Sequence, residues 1–460
     1  MNLLLPDLLL RRTGQQGRLR WSRSDLMRFQ SVRLQQLRQH AMQRSRFLAD
    51  YHRHLDAAPL KELPPMTKST LMEFWDELVT APSLRREMVE RNLAERESDG
   101  TDPSLPWRGR WWMAATGGST GERGVFVWDR REWISILASY ARVNDWAGVR
   151  VGLGHPLSTA IVSTRNPTHQ SAVVGASIRS RLVPTLRVNA TDPLEQIVNQ
   201  LNRFRPRLLV CYASMLAPLA EAQLAGSLRV APEKVITASE ELLPAAQRMA
   251  VHAWGVDVLN TYAATETATI ASMCPMGSLH LYEDFVLVEP VDAAYRAVAD
   301  GQVADRLLVT VLFSRTLPLI RYELDDSVRL ATRACPCGSP YRVLEAVIGR
   351  TESSLRVAAQ AGGAVVVGPN VFHDAVGPLA VHGWQVRQLP GSGLMVRVVD
   401  PDHHLDLPRI RSAVLAGLCH AGVSPDVPID VEPVSHLDRT RLGKTPLIVP
   451  WPASGTRSRS

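Results

Sequence analysis

The sequence predicts an α/β fold, with a large N-terminal domain and a small α+β domain at the C-terminal end. From about residue 111 to residue 348, apolar runs of strand length alternate with stretches of helical spacing, which is typical of α/β architecture. After Arg350 the pattern changes to short strands around a helix. A chain of 460 residues is also longer than one hydrophobic core usually fills. We therefore expect domains at 1–349 and 350–460.

Helices are predicted for most of the first 100 residues. Residues 27–48 are rich in arginine and glutamine and carry apolar side chains at helical intervals. The segment PPMTKS at 64–69 is expected to begin a further helix, because the hydroxyl of Thr67 or Ser69 can accept a hydrogen bond from a free amide of its first turn.

Four apolar runs are predicted strands: TAIVST (159–164), RLLVCYA (207–213), KVITAS (234–239) and RLLVTVLF (306–313). Two segments between them have helical spacing: DPLEQIVNQLNRF (192–204) and LLPAAQRMAVHAWG (242–255). In the second domain the predicted strands are WQVRQL (384–389), LMVRVVD (394–400) and IDVEPV (429–434), with a helix at PRIRSAVLAGL (408–418). The small, polar and basic tail ASGTRSRS at 453–460 is expected to be disordered.

The balance of charge limits the classes of partner. The formal net charge is +7, but no zinc-finger spacing, aromatic RNA-binding signature or basic run accompanies it, so no nucleic-acid partner is expected. An acidic protein suits such a surface better. No apolar run approaches the roughly 20 residues that span a bilayer, and we expect a cytoplasmic protein without an export signal.

The segment TGGSTGERG at 116–124 predicts a loop that binds phosphate. Its four glycines allow backbone amides to close around an anion, and Ser119 and Thr120 add hydroxyl donors. A Walker A loop ends in lysine, whereas Glu122 and Arg123 stand near the end of this one, so a P-loop ATPase is disfavoured. The lysine is therefore expected from elsewhere, and the run taken alone is also consistent with a plain turn.

Lysine is rare in this chain. Four of the 52 lysine and arginine residues are lysines: Lys61, Lys68, Lys234 and Lys444. Most of the arginines are explained by solvated surfaces. Lys444 follows a glycine near the C-terminal end, and its use is informative because a compact ammonium and a planar guanidinium are not interchangeable.

Four further motifs follow the glycine-rich segment in a fixed order: NTYAATET (260–267), LIRYELDD (319–326), IGRTES (348–353) and RLGKTP (441–446). Together they resemble the adenylate-forming superfamily of acyl-CoA synthetases, luciferases and peptide-synthetase adenylation domains. The segments LPPMTKSTLMEFWDEL (63–78) and GSLHLYEDFVLVE (277–289) resemble the phenylacetate-CoA ligase branch. The resemblance extends from about residue 40 to Lys444, and an ordered set of motifs is more specific than any one of them.

The resemblance implies a large adenylate-forming domain, made of layered α/β subdomains and a small β-barrel, and a small mobile C-terminal domain. It also implies ATP and Mg²⁺ as ligands. The phosphate-binding residues would be Thr116, Ser119, Thr120 and Gly121. The chain departs from the superfamily at the end of this loop, where Arg123 and Gly124 replace the usual proline and lysine, and this departure puts the handling of pyrophosphate in doubt.

Two of the motifs are expected to hold the nucleotide. By the resemblance, Tyr262 lies flat against adenine, Thr265 reaches the α-phosphate, and the carboxylate of Glu266 binds Mg²⁺. Asp326 accepts both ribose hydroxyls, or Asp325 does so if the register is shifted by one.

The C-terminal motifs are expected to complete the catalytic machinery. Arg350 would bridge ribose and phosphate oxygens, and Lys444 would enter the site as the catalytic cation for adenylation. Glu352 occupies the position of the usual hinge aspartate, about which the small domain would rotate between the two half-reactions.

The acid and its acceptor are less determined. The acyl pocket is expected near Tyr212, Ser239, Glu240 and Ala263, where small alanines nearby leave room for a flat ring. An aryl acid, of the hydroxybenzoate or phenylacetate type, is therefore favoured. The acceptor is either CoA or the phosphopantetheine arm of an acidic acyl carrier protein.

Cysteine and histidine suggest a structural metal. Cys274 and His280 lie in MCPMGSLH, and Cys335 and Cys337 lie in ACPCGSP. In a reducing compartment such a set is typical of tetrahedral Zn²⁺, and some phenylacetate ligases are similar here. The alternative is two turns that happen to contain cysteine. Cys211 and Cys419 are interpreted as ordinary buried residues.

The sequence is also consistent with a second class of function. The missing phosphate-loop lysine and the altered hinge are also consistent with a catalytically weak relative that serves as a scaffold for a carrier protein. The presence of Glu266, Asp326, Arg350 and Lys444, in that order, favours the enzyme.

Overall fold

The structure is a computed structural model of the chain. It describes residues 4–116, 123–152, 154–350, 355–367, 369–376, 379, 381, 383–400, 404–439 and 445–449. Helices and strands alternate through most of the described chain, which confirms the α/β class. The disordered tail predicted at 453–460 lies outside the described residues.

Six α-helices and a short 3-10 helix (Leu60–Glu62) precede the sheets in the described chain. The α-helices are α1 (Leu5–Arg18), α2 (Arg23–Arg44), α3 (Arg46–Tyr51), α4 (Lys68–Glu73), α5 (Trp75–Leu78) and α6 (Arg86–Asp99). Ser22 and Asp25 form a capping box at the start of α2. Thr67 is the N-cap of α4, since its Oγ1 accepts a hydrogen bond from the Thr70 amide at 3.1 Å. Thr67, rather than Ser69, therefore begins this helix.

A hairpin and four strand–helix units follow. The hairpin is β1 (Trp112–Ala115) with β2 (Val125–Trp128), and α7 (Arg130–Trp146) comes directly after it. The units are β3 (Thr159–Ser163) with α8 (Gln170–Ser177), β4 (Thr185–Asn189) with α9 (Leu194–Phe204), β5 (Leu208–Tyr212) with α10 (Ala213–Leu224), and β6 (Lys234–Ala238) with α11 (Pro244–Trp254). Each strand and helix predicted from 159 to 255 is present.

The large sheet has ten strands among the described residues. Its other six strands are β7 (Val258–Ala264), β8 (Ala268–Met273), β9 (Leu279–Leu281), β11 (Val303–Ala304), β14 (Asp326–Leu330) and β15 (Val343–Arg350), and the order is β4-β3-β5-β6-β7-β8-β9-β15-β14-β11. The strands from β4 to β7 are parallel, and every pairing from β7 to β11 is antiparallel. The pairing of the strands thus changes from parallel to antiparallel at β7, the strand that contains Tyr262.

A smaller antiparallel sheet lies beside the large one. Its strands are β10 (Val286–Val291), β12 (Arg306–Val311) and β13 (Tyr322–Leu324), in the order β10-β12-β13. The segment before α4 runs parallel to β13, because the Met66 amide donates to the Arg321 carbonyl and the Met66 carbonyl accepts from the Glu323 amide, both at 2.9 Å. Met66 is fully buried, which fixes the start of α4 against this sheet.

A buried ion pair joins α7 to the chain before β10. Both guanidinium nitrogens Nη1 and Nη2 of Arg142 donate to the Asp284 carboxylate, at 2.8 and 2.7 Å. Arg18 of α1 donates to the same carboxylate at 3.0 Å. Burial opposes the ionisation of Asp284, but the attraction and hydrogen bonds of these two arginines outweigh it and lower its pKa.

The C-terminal part forms its own sheets and core. Its elements are β16 (Leu355–Ala358), β17 (Ala364–Val367), α12 (Pro369–Val376), β18 (Trp384–Gln388), β19 (Leu394–Val399), α13 (Leu407–His420), β20 (Ile429–Val434) and β21 (Ile448–Val449). The four-stranded sheet has the order β20-β19-β18-β21, and its apolar face packs on α12 and α13. The strands and the helix predicted between 384 and 434 are all present. The boundary between domains at 349 and 350 stays a prediction.

A helix able to cross a bilayer is not found in the described part of the chain, where none is both long and apolar enough.

Candidate active site

Tyr262 and Asp326, predicted to hold adenine and ribose, lie in direct contact. Tyr262 is near the end of β7 and Asp326 begins β14. The Tyr262 hydroxyl donates a hydrogen bond to Asp326 Oδ2 at 2.6 Å. Asp326 is buried, and it is this acid, rather than its neighbour Asp325, that accepts the hydrogen bond. Two motifs 64 positions apart therefore share one place in the fold.

Thr265 and Glu266 form a tight turn directly after β7. The Thr265 carbonyl accepts a hydrogen bond from Gln170 Nε2 of α8 at 2.9 Å, and Ala268, which ends the turn, has a φ of 62°. The Glu266 side chain is buried in this turn. A carboxylate beside the residues predicted to bind nucleotide would fit Mg²⁺, which prefers a single carboxylate with phosphate oxygens and water.

Thr116 and Gly124, the first and last residues of the glycine-rich segment, are hydrogen-bonded to each other, and we call this pair its neck. The Thr116 amide donates to the Gly124 carbonyl at 2.9 Å, and the Gly124 amide donates to Thr116 Oγ1 at 2.8 Å. Thr116 is the predicted phosphate-binding residue that is described. Ser119, Thr120 and Gly121 lie outside the described residues.

Arg123, at the end of the same segment, is bound to neighbours in the protein. Its Nη2 donates to Glu97 Oε1 at 2.6 Å and also to Thr168 Oγ1. Burial opposes ionisation of Glu97, but hydrogen bonds from Thr168 and Arg123 outweigh it and lower the pKa of this carboxyl. The Thr168 carbonyl accepts from the Ala115 amide at 2.8 Å, so the neck lies next to the segment whose Gln170 holds Thr265.

No family model matches the chain. A phenylacetate-coenzyme A ligase from Thermus thermophilus is 26% identical over 279 residues, which are 57% of this chain and 57% of that ligase. The chain thus matches little more than half the length of this curated relative.

Solved structures cover more of the chain. A 2-hydroxyisobutyryl-CoA ligase in its postadenylation state, in complex with R3-HIB-AMP, covers 91% of this chain and 88% of its own, with 17% identity and a TM-score of 0.67. The same ligase in its thioesterification state, with 2-HIB-AMP and CoA, covers 94% and 91%, with 18% identity and a TM-score of 0.56. At these identities the likeness concerns the fold, and it agrees with the sequence match.

The chain is thus similar in sequence to a phenylacetate-CoA ligase and in fold to a second CoA ligase, in agreement with the resemblance of its motifs.

The C-terminal candidates are described only in part. Arg350 is the last residue of β15, where its backbone pairs with Asp326, so the strand brings the backbone of Arg350 to the nucleotide candidates. The Arg350 side chain, Glu352 and Lys444 lie outside the description. The neighbour of Lys444 is described: the Thr445 amide donates to Glu240 Oε1 at 2.6 Å. Thr445, the residue after Lys444, therefore lies beside a predicted pocket residue.

Glu240 lines a cavity of about 720 Å³ between the large sheet and the C-terminal sheet. Its Oε2 also accepts from the Ser214 amide at 2.8 Å. Trp384 and Arg439 line the same cavity from the C-terminal side. The cavity is thus formed by both parts of the chain.

The other three predicted pocket residues are not among the residues that line this cavity. Tyr212 ends β5, and its hydroxyl accepts from the Thr164 amide at 3.1 Å, while burial raises its pKa to about 12. Ser239 follows β6 with a φ of 72°, a conformation that usually favours glycine. Ala263, on β7, is partly buried next to Tyr262. Of the four predicted pocket residues, the structure therefore brings Glu240 to the lining of this cavity and not the other three.

The four zinc candidates form one cluster. Cys274 follows β8, His280 lies on β9, and Cys335 and Cys337 lie between β14 and β15. Their ligand atoms are all within 4.8 Å of one another, with 3.7 Å between the sulfurs of Cys274 and Cys335 and 3.2 Å from Cys337 Sγ to His280 Nε2. Three thiols and one imidazole at this spacing fit a tetrahedral metal site.

The ring of His280 is oriented for such a site. His280 Nδ1 lies 2.9 Å from the Tyr341 carbonyl, to which it donates, and Nε2 is the ring nitrogen that faces Cys337. His280 is fully buried. For Cys335, burial opposes the thiolate, but hydrogen bonds from Ser278 and the Cys337 amide outweigh it and lower the pKa to about 6. The residues therefore fit Zn²⁺, which binds thiolates and neutral imidazole.

Sequence reasoning missed the residues that hold the site together. Gln170, Glu97 and Thr168 carry no motif, yet they connect the neck to the Thr265 turn. Such contacts come from chain segments far apart, and no local pattern signals them.

Proposed function

We propose that the protein is an ATP-dependent ligase that activates a carboxylic acid as its acyl adenylate and transfers the acyl group to a thiol. The contact between Tyr262 and Asp326 is the observation that carries this proposal. An adenosine-binding site needs an aromatic face and a carboxylate for the ribose, and this pair joins the two motifs that supply them.

The first half-reaction brings two anions together, the acid and the α-phosphate. The Thr265 hydroxyl and the cationic side chains of Arg350 and Lys444 are proposed to stabilise the negative charge that develops there. Mg²⁺, held by Glu266 and the phosphates, would neutralise further charge. Because Thr265 is fixed through Gln170, its position is set before the nucleotide binds.

The second half-reaction requires Lys444 to leave, so that a thiol can reach the adenylate. We propose that residues 350–460 form the mobile domain and that Glu352 lies at the hinge. The cavity between the two parts of the chain supports this, because a space that both parts line changes shape when one part rotates.

We propose an aryl acid as substrate and CoA, or the phosphopantetheine arm of an acidic acyl carrier protein, as acceptor. The small side chain of Ala263 beside Tyr262 leaves room for a flat ring. The net charge of +7 suits an acidic carrier protein, while the relatives with CoA in their names favour CoA. A cytoplasmic location stays a prediction.

We also propose that Cys274, His280, Cys335 and Cys337 bind Zn²⁺ with a structural role. The metal would connect the β8–β9 hairpin to the loop between β14 and β15. Such a site takes part in no bond-making step and stabilises the strands that carry Tyr262 and Asp326.

The experiment that tests the function is acid-dependent exchange of labelled pyrophosphate into ATP. The purified protein is offered a panel of aryl and aliphatic acids, and we expect exchange with one or more aryl acids. The acids that support exchange are then offered with CoA or with a loaded carrier protein. Tight ATP binding without exchange for any acid would favour the non-catalytic scaffold instead.

A further inference from the structure

Lys68 is placed by the segment that begins α4. Met66, two residues earlier, is buried and pairs with Tyr322 of β13, which lies four residues before Asp326. Thr67 caps the helix, so the backbone on the N-terminal side of Lys68 is fixed. Lys68 is partly buried, and its position is set by the same strand that leads to Asp326.

The side chain of Lys68 reaches the neck of the glycine-rich segment. If Gly124 carried a Cβ atom, that atom would lie 3.4 Å from Lys68 Cε and 3.3 Å from Thr116 Oγ1. The ammonium is one bond beyond Cε, and it therefore stands where the chain enters and leaves the segment 117–122. A side chain at position 124 would also meet the ring of Phe126 at 3.0 Å, so glycine keeps this place open for the lysine.

The ammonium of Lys68 makes no hydrogen bond or ion pair with any other residue that the structure describes. Lys234 differs, since it pairs with Asp257 at 3.3 Å. An unpaired cation beside a predicted phosphate loop is a binding group for an anionic ligand.

Arg123, the cation that the sequence places at the end of the loop, is already engaged. Glu97 and Thr168 both accept hydrogen bonds from its guanidinium. Releasing Arg123 would break its ion pair with the exposed Glu97 carboxylate and its hydrogen bond to the buried Thr168. Arg123 thus anchors the end of the segment to α6 and is not available to phosphate.

We propose that Lys68 is the cation for the β- and γ-phosphates of ATP, in place of the lysine that the loop lacks. This inference rests on the proposed adenylating function and deepens it. Lys68 acts from the N-terminal part of the chain on the pyrophosphate leaving group, whereas Lys444 acts from the C-terminal part on the α-phosphate and the acid. The ammonium balances charge on a leaving group that departs as a polyanion.

The test compares ATP with AMP, because AMP lacks the phosphates that Lys68 is proposed to hold. Dissociation constants of both nucleotides are measured by calorimetry for the wild type, Lys68→Ala, Lys68→Arg and the matched control Lys61→Ala, whose lysine is exposed outside the site. We expect Lys68→Ala to weaken ATP binding about tenfold and to leave AMP binding within about twofold, as for the loss of one charge-assisted contact. Lys68→Arg should retain part of the preference for ATP, and Lys61→Ala should change neither constant.

A second readout separates a phosphate role from a structural one. In the reverse direction, Lys68→Ala should raise the KM for pyrophosphate about tenfold, while thioester formation from a supplied acyl adenylate keeps its rate. Lys68→Met, which keeps the aliphatic stem, replaces the alanine variant if the latter unfolds on heating before the wild type.

Three outcomes decide the matter. Equal loss of ATP and AMP affinity, or no loss, in Lys68→Ala would overturn the proposal. A selective loss of ATP affinity in Arg123→Gln, with Lys68→Ala unchanged, would assign the phosphates to Arg123 instead. If the wild type binds neither nucleotide, the proposed function itself fails, and this result differs from both of the others.

Discussion

Replacing Asp326 gives the most direct test of the proposed nucleotide site. Adjacent acids at 325 and 326 left its assignment open in the sequence, because a shift of one position exchanges their roles. The hydrogen bond from Tyr262 singles out Asp326, which is buried. A buried carboxylate beside an aromatic ring is suited to accept ribose hydroxyls.

Asp326→Ala should weaken AMP binding at least tenfold, because two hydroxyl hydrogen bonds to a charged acceptor are worth about 1.5 kcal/mol or more. Calorimetric titration with AMP measures this, and Asp325→Ala is the matched control. Tyr262→Phe keeps the ring and should change AMP affinity less than about threefold. The assignment is wrong if the Asp325 variant loses more affinity than the Asp326 variant.

Lys444 is the proposed catalytic cation, and its replacement should separate binding from chemistry. Lys444→Ala should abolish acid-dependent pyrophosphate exchange, with a loss of roughly 100-fold or more, while ATP still binds, because its charge is needed mainly as the acid attacks the α-phosphate. The exchange rate and the ATP dissociation constant are measured on the same preparation. Adenylate formation at the wild-type rate would defeat the assignment.

The elements around the site were predictable where their pattern is local. Strands β3, β5, β6 and β12 and helices α9 and α11 follow from periodicity alone. The pairing of Met66 with β13 and the contact between α8 and the Thr265 turn were not predictable, since they join distant segments through hydrogen bonds that leave no sequence pattern. The cluster of cysteines and histidine was predictable in part. The residue types suggested a metal, but only the fold shows that the four side chains lie close together.

The proposed zinc site would connect elements on the antiparallel side of the large sheet, and loss of the metal should then destabilise them. Cys335→Ser should remove zinc from the purified protein and lower the unfolding temperature by roughly 5–10 °C, because metal binding is coupled to folding. Cys419→Ser, on α13 and outside the cluster, is the matched control and should keep the metal. Absence of zinc from wild-type protein prepared without chelator would contradict the proposal.

The buried pair of Arg142 and Asp284 anchors α7, and removing one partner should lower the stability of the protein. Asp284→Asn leaves two arginines facing a neutral amide and should lower the free energy of unfolding by about 3–5 kcal/mol. Urea denaturation at neutral pH measures this. Glu87→Gln, which breaks an exposed pair with Arg91 on α6, should cost less than about 1 kcal/mol.

The pH dependence of this pair has a definite sign. The folded pKa of Asp284 is lowered, so its contribution is present above the unfolded value of about 3.9 and is lost as the pH falls below it. The difference in stability between wild type and Asp284→Asn should therefore shrink on acidification below about pH 4. A difference in stability that stays constant as the pH is lowered well below about 4 would show that the carboxylate charge does not stabilise α7.

At the scale of the whole molecule, two C-terminal contacts define the present arrangement of the chain. The Thr445 amide binds Glu240, and Arg439 Nη1 donates to the Ala190 carbonyl. Both contacts hold the segments flanking Lys444 against the large sheet. The sequence predicted a separate C-terminal unit from its change of pattern, but these contacts depend on how the two parts meet and have no local signal.

If the C-terminal part rotates between half-reactions, the contact of Arg439 with Ala190 should affect the rate of adenylation and not the rate of thiol transfer. Arg439→Ala should slow pyrophosphate exchange roughly tenfold, which corresponds to about 1.4 kcal/mol of lost contact. Thioester formation from a supplied acyl adenylate should keep its rate, because the arrangement for thiol transfer does not need this contact. Arg409→Ala, exposed on α13, is the control and should change neither rate. An equal decrease in both half-reactions would mean that Arg439 stabilises the protein in general, and the two-arrangement proposal would then lose this support.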